Sequence, residues 1–353
     1  MTRLPVLFCI DIEPDLRDVR SNSDWCGFET TFEYFQALRP RLEAASGISA
    51  RYAWFLRMDP QVAIAYGSPD WAARRYAQQI DALRDAGDEI GLHPHAWRWV
   101  DGRSSWVADH ANQEWVEACV RMSFETYARV FGVGCRAFRF GDHWMNDATL
   151  ALVESLGAVV DLTLEPGQLP TYSIPQASTG TFPDYTHVPQ RAYRPSASDF
   201  RRPGHRGERR IWMVPLSAGS TWPILSSGNR LAQLFGGYGP GTDPYQTFRL
   251  ACRAPLFTRL VDQARDIAKA FGRYNEKYET LNLAARPSVF SLVMDGLLAV
   301  KRAPYLAIVA RTDVATDPPQ RRNLEQNINY LLSHPIVNRC AFQTPAEFVT
   351  ELD

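Results

Sequence analysis

Cysteine is scarce and scattered in this chain: six in 353 residues, at Cys9, Cys26, Cys119, Cys135, Cys252 and Cys340. No two have the C-x-x-C spacing of a thiolate metal site or a thioredoxin-like couple, so neither chemistry is expected. Placed singly, they read as small buried hydrophobes in a reducing compartment, and the expected location is the cytoplasm. Long apolar runs are missing as well. Val6 to Ile10 is too short for a signal-peptide core and is followed at once by Asp11 and Glu13, and no stretch is long enough to span a bilayer. Charge of one sign is not in excess either. With 38 basic and 39 acidic residues the formal net charge is -1, so no global field draws the protein to nucleic acid or an anionic membrane. The chain has no G-x-S-x-G elbow, H-E-x-x-H helix, P-loop or G-x-G-x-x-G series, which disfavours serine nucleophiles and nucleotide cofactors. Histidine is rare, with seven in all.

What is present is the mixture of a globular protein able to bury a core, 45% hydrophobic and 22% charged. Strand and helix patterns alternate. Val6–Ile10, Arg51–Leu56, Glu89–Leu92, Arg136–Phe140 and Ala158–Val160 read as short buried strands. Between them Thr31–Ala45 (interrupted by Pro40), Asp70–Ala86, Gln113–Phe131 and Asp147–Leu156 carry apolar residues at helical spacing. This order predicts parallel βαβ units, whose ligands collect beyond the C-terminal ends of the strands. Asp11, Asp59, His93, Arg139 and Asp161 all fall at or just past such ends. Residues 165–245 are irregular and rich in Pro, Gly, Ser and Arg, and read as an elaborated loop or hairpin excursion with Ile211–Pro215 as one arm. Further on, Pro255–Phe271 and Arg321–Leu332 read as helices, Ser288–Leu292 and Tyr305–Ala310 as strands, and Cys340–Phe342 leads into a last helix at Pro345–Leu352. No linker or repeat divides the chain, so residues 1–353 are expected to form a single domain.

Two clusters carry the chemistry. Asp11 and Glu13 are two apart on extended chain and face the same side, where their mutual repulsion calls for a cation or a shared proton. His93 and His95 stand two apart at the end of a strand, where two neutral imidazoles can meet one metal ion or one of them can bond the backbone instead. Arg139, also at a strand end, can clamp a carboxylate or an oxyanion. His143 follows it, between Phe140 and Trp144. Trp97, Trp99 and Trp106 offer a cover or stacking surface near the histidines, and the basic stretch from Arg201 to Arg210 is either an anion contact or a solvated loop.

These segments resemble the polysaccharide deacetylase (NodB-homology) family. Its acidic pair after a strand is matched by Phe8 to Glu13, its Glu-Ile-Gly-x-His string by Glu89 to His93, and its Arg with a nearby Gly by Arg139 and Gly141. The close of the chain, Phe342 to Phe348, is similar to the family's end. The resemblance implies an α/β fold, a distorted (β/α) barrel with an elaborated middle. It also implies one divalent metal ion, zinc or else cobalt, manganese or nickel, held by Glu13, His93 and His95. Asp11 would then be the base, oriented by Arg139. Two positions depart from the pattern. The family's second metal histidine falls at Trp97, which leaves His95 to serve, with Asp15 as a substitute for Glu13. Its late general-acid histidine is absent from Arg311-Thr312-Asp313, leaving His143 or Asp313 as the acid. The implied activity is metal-dependent removal of an acetyl or related acyl group from an N-acetylated sugar or sugar-linked intermediate. The alternatives are hydrolysis of another C–N or a glycosidic bond, and a non-catalytic carbohydrate-binding role. The expected partner is a carbohydrate or other small-molecule substrate, and the oligomeric state is left open.

Overall fold

The computed structural model describes residues 3–16, 24–170, 178–179, 182–205, 207–221, 277–299 and 304–353. The chain opens with strand β1 (Leu4–Ile12), helix α1 (Cys26–Ser46) and β2 (Ala53–Leu56). Next come α2 (Pro60–Tyr66), α3 (Trp71–Arg75), α4 (Ala77–Asp85) and β3 (Glu89–Leu92). A hairpin of β4 (Trp97–Val100) and β5 (Ser105–Asp109) leads to α5 (Gln113–Phe131), β6 (Ala137–Phe138), α6 (Asp147–Ser155) and β7 (Val160–Asp161). After these lie β8 (Ser178–Thr179), β9 (Trp212–Met213), β10 (Ala218–Thr221) and β11 (Lys277–Thr280). The chain ends with α7 (Pro287–Ala299), β12 (Leu306–Arg311), α8 (Pro318–Ser333), β13 (Cys340–Phe342) and α9 (Pro345–Thr350).

The main sheet runs β12-β1-β2-β3-β6-β7-β9, with β13 also on β1, and every pairing in it is parallel. It curls until its two edges nearly meet. The chain just after β9 bonds across to β12, where Ser217 N–H donates to Ala307 O (3.0 Å). Leu281 bridges the same gap, donating to Ser217 O (2.7 Å) and accepting from Val309 N–H (3.0 Å). The result is a distorted α/β barrel.

Strand alternation divides the apolar residues into two layers. Leu7, Cys9, Ala53, Phe55, Ala137, Ala307 and Val309 fill the barrel interior. Val6, Phe8, Ile10, Ile12, Trp54, Leu56, Ile90, Leu92 and Phe138 face the helices. The interior is narrow: a Cβ on Gly91 would lie 2.7 Å from the Phe55 ring and from Ala137 O. This parity places the site. Continued past the strand ends, the inward-facing register carries Asp11 and Glu13, Arg57 and Asp59, His93 and His95, Arg139, and Arg311.

Several sequence expectations need correction. The helix expected over 70–86 is two, broken at Tyr76 (φ -114°, ψ 31°), whose ring is buried against Phe28 and Trp71. The segment 288–292 lies inside α7 and is not a strand. A short apolar run does not distinguish the two, and here Val289, Phe290, Val293 and Met294 are buried at helical spacing behind Pro287 in the first turn. Helix α1 continues through Pro40. Glu89–Leu92 and Gln113–Phe131 have the expected bounds. The helix expected at 255–271 falls outside the described residues, as does the excursion beyond residue 221; Ile211–Pro215, expected as a hairpin arm, instead supplies β9, parallel to β7 in the main sheet.

Candidate metal centre

Three ligand atoms converge at the mouth of the barrel. Nε2 of His93 is 3.1 Å from Glu13 Oε1, Nε2 of His95 is 2.9 Å from the same oxygen, and the two nitrogens are 3.2 Å apart. All three residues are buried, at most 3% exposed. In each histidine the other ring nitrogen is occupied: His93 Nδ1 bonds Arg139 O (2.9 Å), and His95 Nδ1 bonds Asp142 Oδ2 (3.1 Å). If Nδ1 carries the proton in both, both Nε2 atoms present lone pairs to one another and to a carboxylate oxygen. Three acceptors facing each other inside a protein are unfavourable unless a cation or proton lies between them. Bonds of about 2.0–2.1 Å to a tetrahedral ion place its ligand atoms roughly 3.3 Å apart, close to the spacing here, and the N/O donor set suits zinc and its neighbours. Among the described residues this trio is the cluster able to hold a metal ion.

The surroundings fix the trio. Glu13 N–H donates to Thr312 Oγ1 (2.9 Å), which donates back to Glu13 O (3.1 Å). His95 N–H donates to Asp59 Oδ2 (3.1 Å), and Asp59 is itself gripped by Arg57 through Nε (2.8 Å) and an Nη (2.9 Å). Trp97 Nε1–H is shared between Asp142 Oδ2 and His95 Nδ1 (both 2.9 Å), and so steadies His95 together with the carboxylate behind it. A Cβ on Gly141 would meet the His95 ring at 2.3 Å, and Asp142 and His143 both take left-handed backbone (φ 54° and 55°), a strained turn of the kind found at functional sites. Burial lowers the pKa of His93 against the opposing pull of Asp11 and Glu13. His95 is also pushed down by burial and by Arg57, but Asp142 and Glu13 outweigh both and raise it.

Asp11 lies beside the trio, its Oδ1 3.7 Å from His93 Nδ1. Arg139 Nε reaches both its oxygens, at 3.0 and 3.1 Å, while Nη1 of Arg139 donates to Leu162 O (2.7 Å). The same guanidinium approaches Glu165 Oε1 (3.9 Å), and Glu165 Oε1 is 2.8 Å from Nδ1 of His143. This last contact becomes an ion pair when the imidazole carries a second proton. Burial would raise the Glu165 carboxyl, but His143, Arg139 and the Thr280 hydroxyl hold it down at about 2. His143 keeps its side chain 36% exposed.

Asp11, Glu13, His93, His95 and Arg139 are thus brought together, and His143 joins them through Glu165. Other candidates are not at the centre. Asp15 accepts from Cys26 and Gly27 N–H at the start of α1. Asp161 faces the outer layer and bonds Thr163 through its N–H and Oγ1 (both 2.9 Å). Asp313 pairs with Arg311. Within the basic stretch, Arg201 and Arg202 pair with Asp199 and Arg209 with Glu154. Trp99 packs against Trp106 across the β4–β5 hairpin. Sequence reasoning missed Asp142, Glu165, Arg57 and His110. The His110 ring stacks on Trp144 (5.2 Å, 7°), and Nε2 lies 3.9 Å from Asp142 Oδ2. No local motif marks these four residues.

No family model matches the chain, and no curated protein matches it. Solved structures do. Over 99% of this chain and 90% of the other it is similar to a Mycobacterium smegmatis protein described as a polysaccharide deacetylase, at 13% identity and TM-score 0.47. It is similar to a family 4 carbohydrate esterase from Streptomyces lividans at 15% identity and TM-score 0.29, over 46% of this chain and 63% of the esterase. It is also similar to a GH57 branching enzyme from Thermococcus kodakaraensis at 11% identity and TM-score 0.43, over 100% of this chain and 72% of the enzyme. These are likenesses of fold. The functional reading rests on the site itself.

Proposed function

We propose that the protein is a metal-dependent hydrolase that removes an acetyl or related acyl group from the nitrogen of an acylated amino sugar or a sugar-linked intermediate. One observation carries the reading: Glu13, His93 and His95 converge on a shared point with Asp11 beside them, its carboxylate held by Arg139. Those three residues would hold the ion, with zinc favoured and cobalt, manganese or nickel suited by the same donors. When bound, the ion supplies Lewis-acid polarisation of the acyl carbonyl and of water.

The rest of the reaction falls to the chain's own groups. Asp11 accepts a proton as water adds to the acyl carbon. Arg139 contacts both oxygens of Asp11 and so fixes the orientation in which it acts. His143, partly exposed at the mouth with the ionised Glu165 behind it, donates a proton to the nitrogen as the C–N bond breaks. The products are a carboxylate and a free amine. Five free cysteines among the described residues, four of them buried, support a reducing cytoplasmic setting.

A second reading is favoured by one feature: β12 delivers Arg311 to the mouth where the deacetylase pattern places a histidine. It keeps the centre but cleaves a different C–N or a glycosidic bond. Metal analysis followed by an acetate-release screen on acetamido sugars tests both. About one divalent ion per chain with acetate release supports the first reading. A bound ion without acetate release favours the second, and a chain that takes up no zinc, cobalt or manganese overturns both.

A further inference from the structure

Arg311 pairs with the proposed metal ligand Glu13, and the reaction outlined above gives it no part. It lies on the inward register of β12, following Ala307 and Val309, and its side chain is 17% exposed. Its Nε donates to Asp313 Oδ1 (3.1 Å) and its terminal nitrogen to Asp313 Oδ2, and the same Nε lies 3.4 Å from Glu13 Oε2, so its charge is felt there without a hydrogen bond. Glu13 is therefore divided between two neighbours: Oε1 faces the two histidine nitrogens and Oε2 faces the guanidinium. A carboxylate can give a metal ion one oxygen or two, and a fixed cation beside one oxygen competes for it.

We propose that Arg311 is a positioning residue that confines Glu13 to a single-oxygen ligand, holding Oε2 away from the ion and keeping a coordination position open for water and substrate. This rests on the metal-hydrolase reading above. The backbone of Glu13 is secured independently by its two hydrogen bonds with Thr312 Oγ1, so removing the guanidinium acts on the carboxylate without freeing the strand end. Two consequences follow, a rise in metal affinity and a fall in turnover. A nearby like charge that opposes the ion is lost, and Asp313 is left without its cation, so affinity for a divalent ion rises. The freed Oε2 can enter the coordination shell, so the open position is filled and turnover falls.

The test compares the wild-type protein with R311Q and R311K, each stripped of metal and titrated with zinc against a chromogenic chelator. Each is then loaded with cobalt for visible absorption. R311Q is expected to bind zinc roughly tenfold more tightly, the scale on which groups just outside the ligand shell act. Its cobalt absorption is expected to weaken, as it does when coordination number rises. R311K keeps the charge but not the planar fork and is expected to fall between R311Q and wild type. Affinity within twofold of wild type and an unchanged cobalt spectrum in R311Q would overturn the proposal. Weaker zinc binding with an unchanged spectrum would overturn it too, because it describes a merely structural arginine. Should R311Q not fold, R311K decides by its spectrum. A wild-type protein that binds neither ion fails the metal reading and takes this proposal with it, whereas a metal-loaded wild type with indifferent variants fails this proposal alone.

Discussion

The two ends of the barrel bury charge in opposite ways. At the base, Asp88 receives Arg39 through both terminal nitrogens (3.0 and 2.7 Å), Tyr52 N–H (3.0 Å) and Trp54 Nε1–H (3.0 Å). Every oxygen there meets a donor, and the network joins α1, β2 and the start of β3. At the mouth, strand ends bring Glu13, His93 and His95 together, with both Nε2 atoms and one carboxylate oxygen facing one another at 2.9–3.2 Å. Buried polar groups that are paired hold a fold together, and at the base both Asp88 oxygens are paired with donors. Buried groups crowded acceptor against acceptor call for a proton or a cation between them. The contrast indicates that the base stabilises the barrel and the mouth is able to hold a cation.

Substitutions at the two ends should separate these roles, and the largest effect belongs to the mouth. His93→Ala should remove the bound ion and with it all measurable turnover while leaving the fold intact, checked by elemental analysis beside circular dichroism. A variant that keeps its full metal content would remove His93 from the ligand set. Asp11→Asn should keep the ion and lose roughly 10²- to 10⁴-fold in turnover, the range of a positioned proton acceptor. Undiminished turnover would end that role.

His143→Ala should be more selective. Amide substrates, whose leaving nitrogen needs a proton, should slow by about 10²-fold. An aryl acetate with a good leaving group should slow far less, and equal losses on both substrates would count against His143 as the acid.

At the base, Asp88→Asn should leave metal uptake unchanged but cost about 3 kcal/mol of stability, because the Arg39 charge loses its partner. A denaturant titration gives that value, and a variant that also loses its metal would blur the division between the two ends. The smallest effect tests the outer face of the rim. Burial raises the Asp161 carboxyl to about 7 from an ordinary value of 3.8. The folded form therefore prefers the proton, and the stability present below 3.8 is lost as pH rises through 7. Asp161→Asn should then melt a few degrees above wild type at pH 8, on the order expected for a small change in stability, and level with it at pH 4. A gap that is constant across pH would assign the effect to packing.

Much of the mouth was legible because strand parity is a local property. Asp11 and Glu13, and likewise His93 and His95, are two residues apart, and extended chain turns both members of such a pair to one face whatever surrounds it. Helix α5 was legible in the same way, from apolar spacing between an Asn112 cap and a terminal Gly132. The break at Tyr76 was not, since a continuous helical pattern does not reveal that the ring will be drawn in against Phe28 and Trp71. Nor was α7, whose short apolar run fits a strand equally well until its packing is known.

What the sequence by itself determined is the register: which residues stand at strand ends, which face inward, and that carboxylates and imidazoles predominate among them. Tertiary structure alone decided which of these meet and what lies behind them. It turned Asp161 outward and sent Asp15 to the start of α1. It set Asp142 behind His95, Glu165 behind His143 and Arg311 behind Glu13, across separations of 47, 22 and 298 residues. The physical reason is that orientation along a strand follows from backbone geometry two residues at a time, whereas proximity between strand ends depends on how the whole sheet curls and closes.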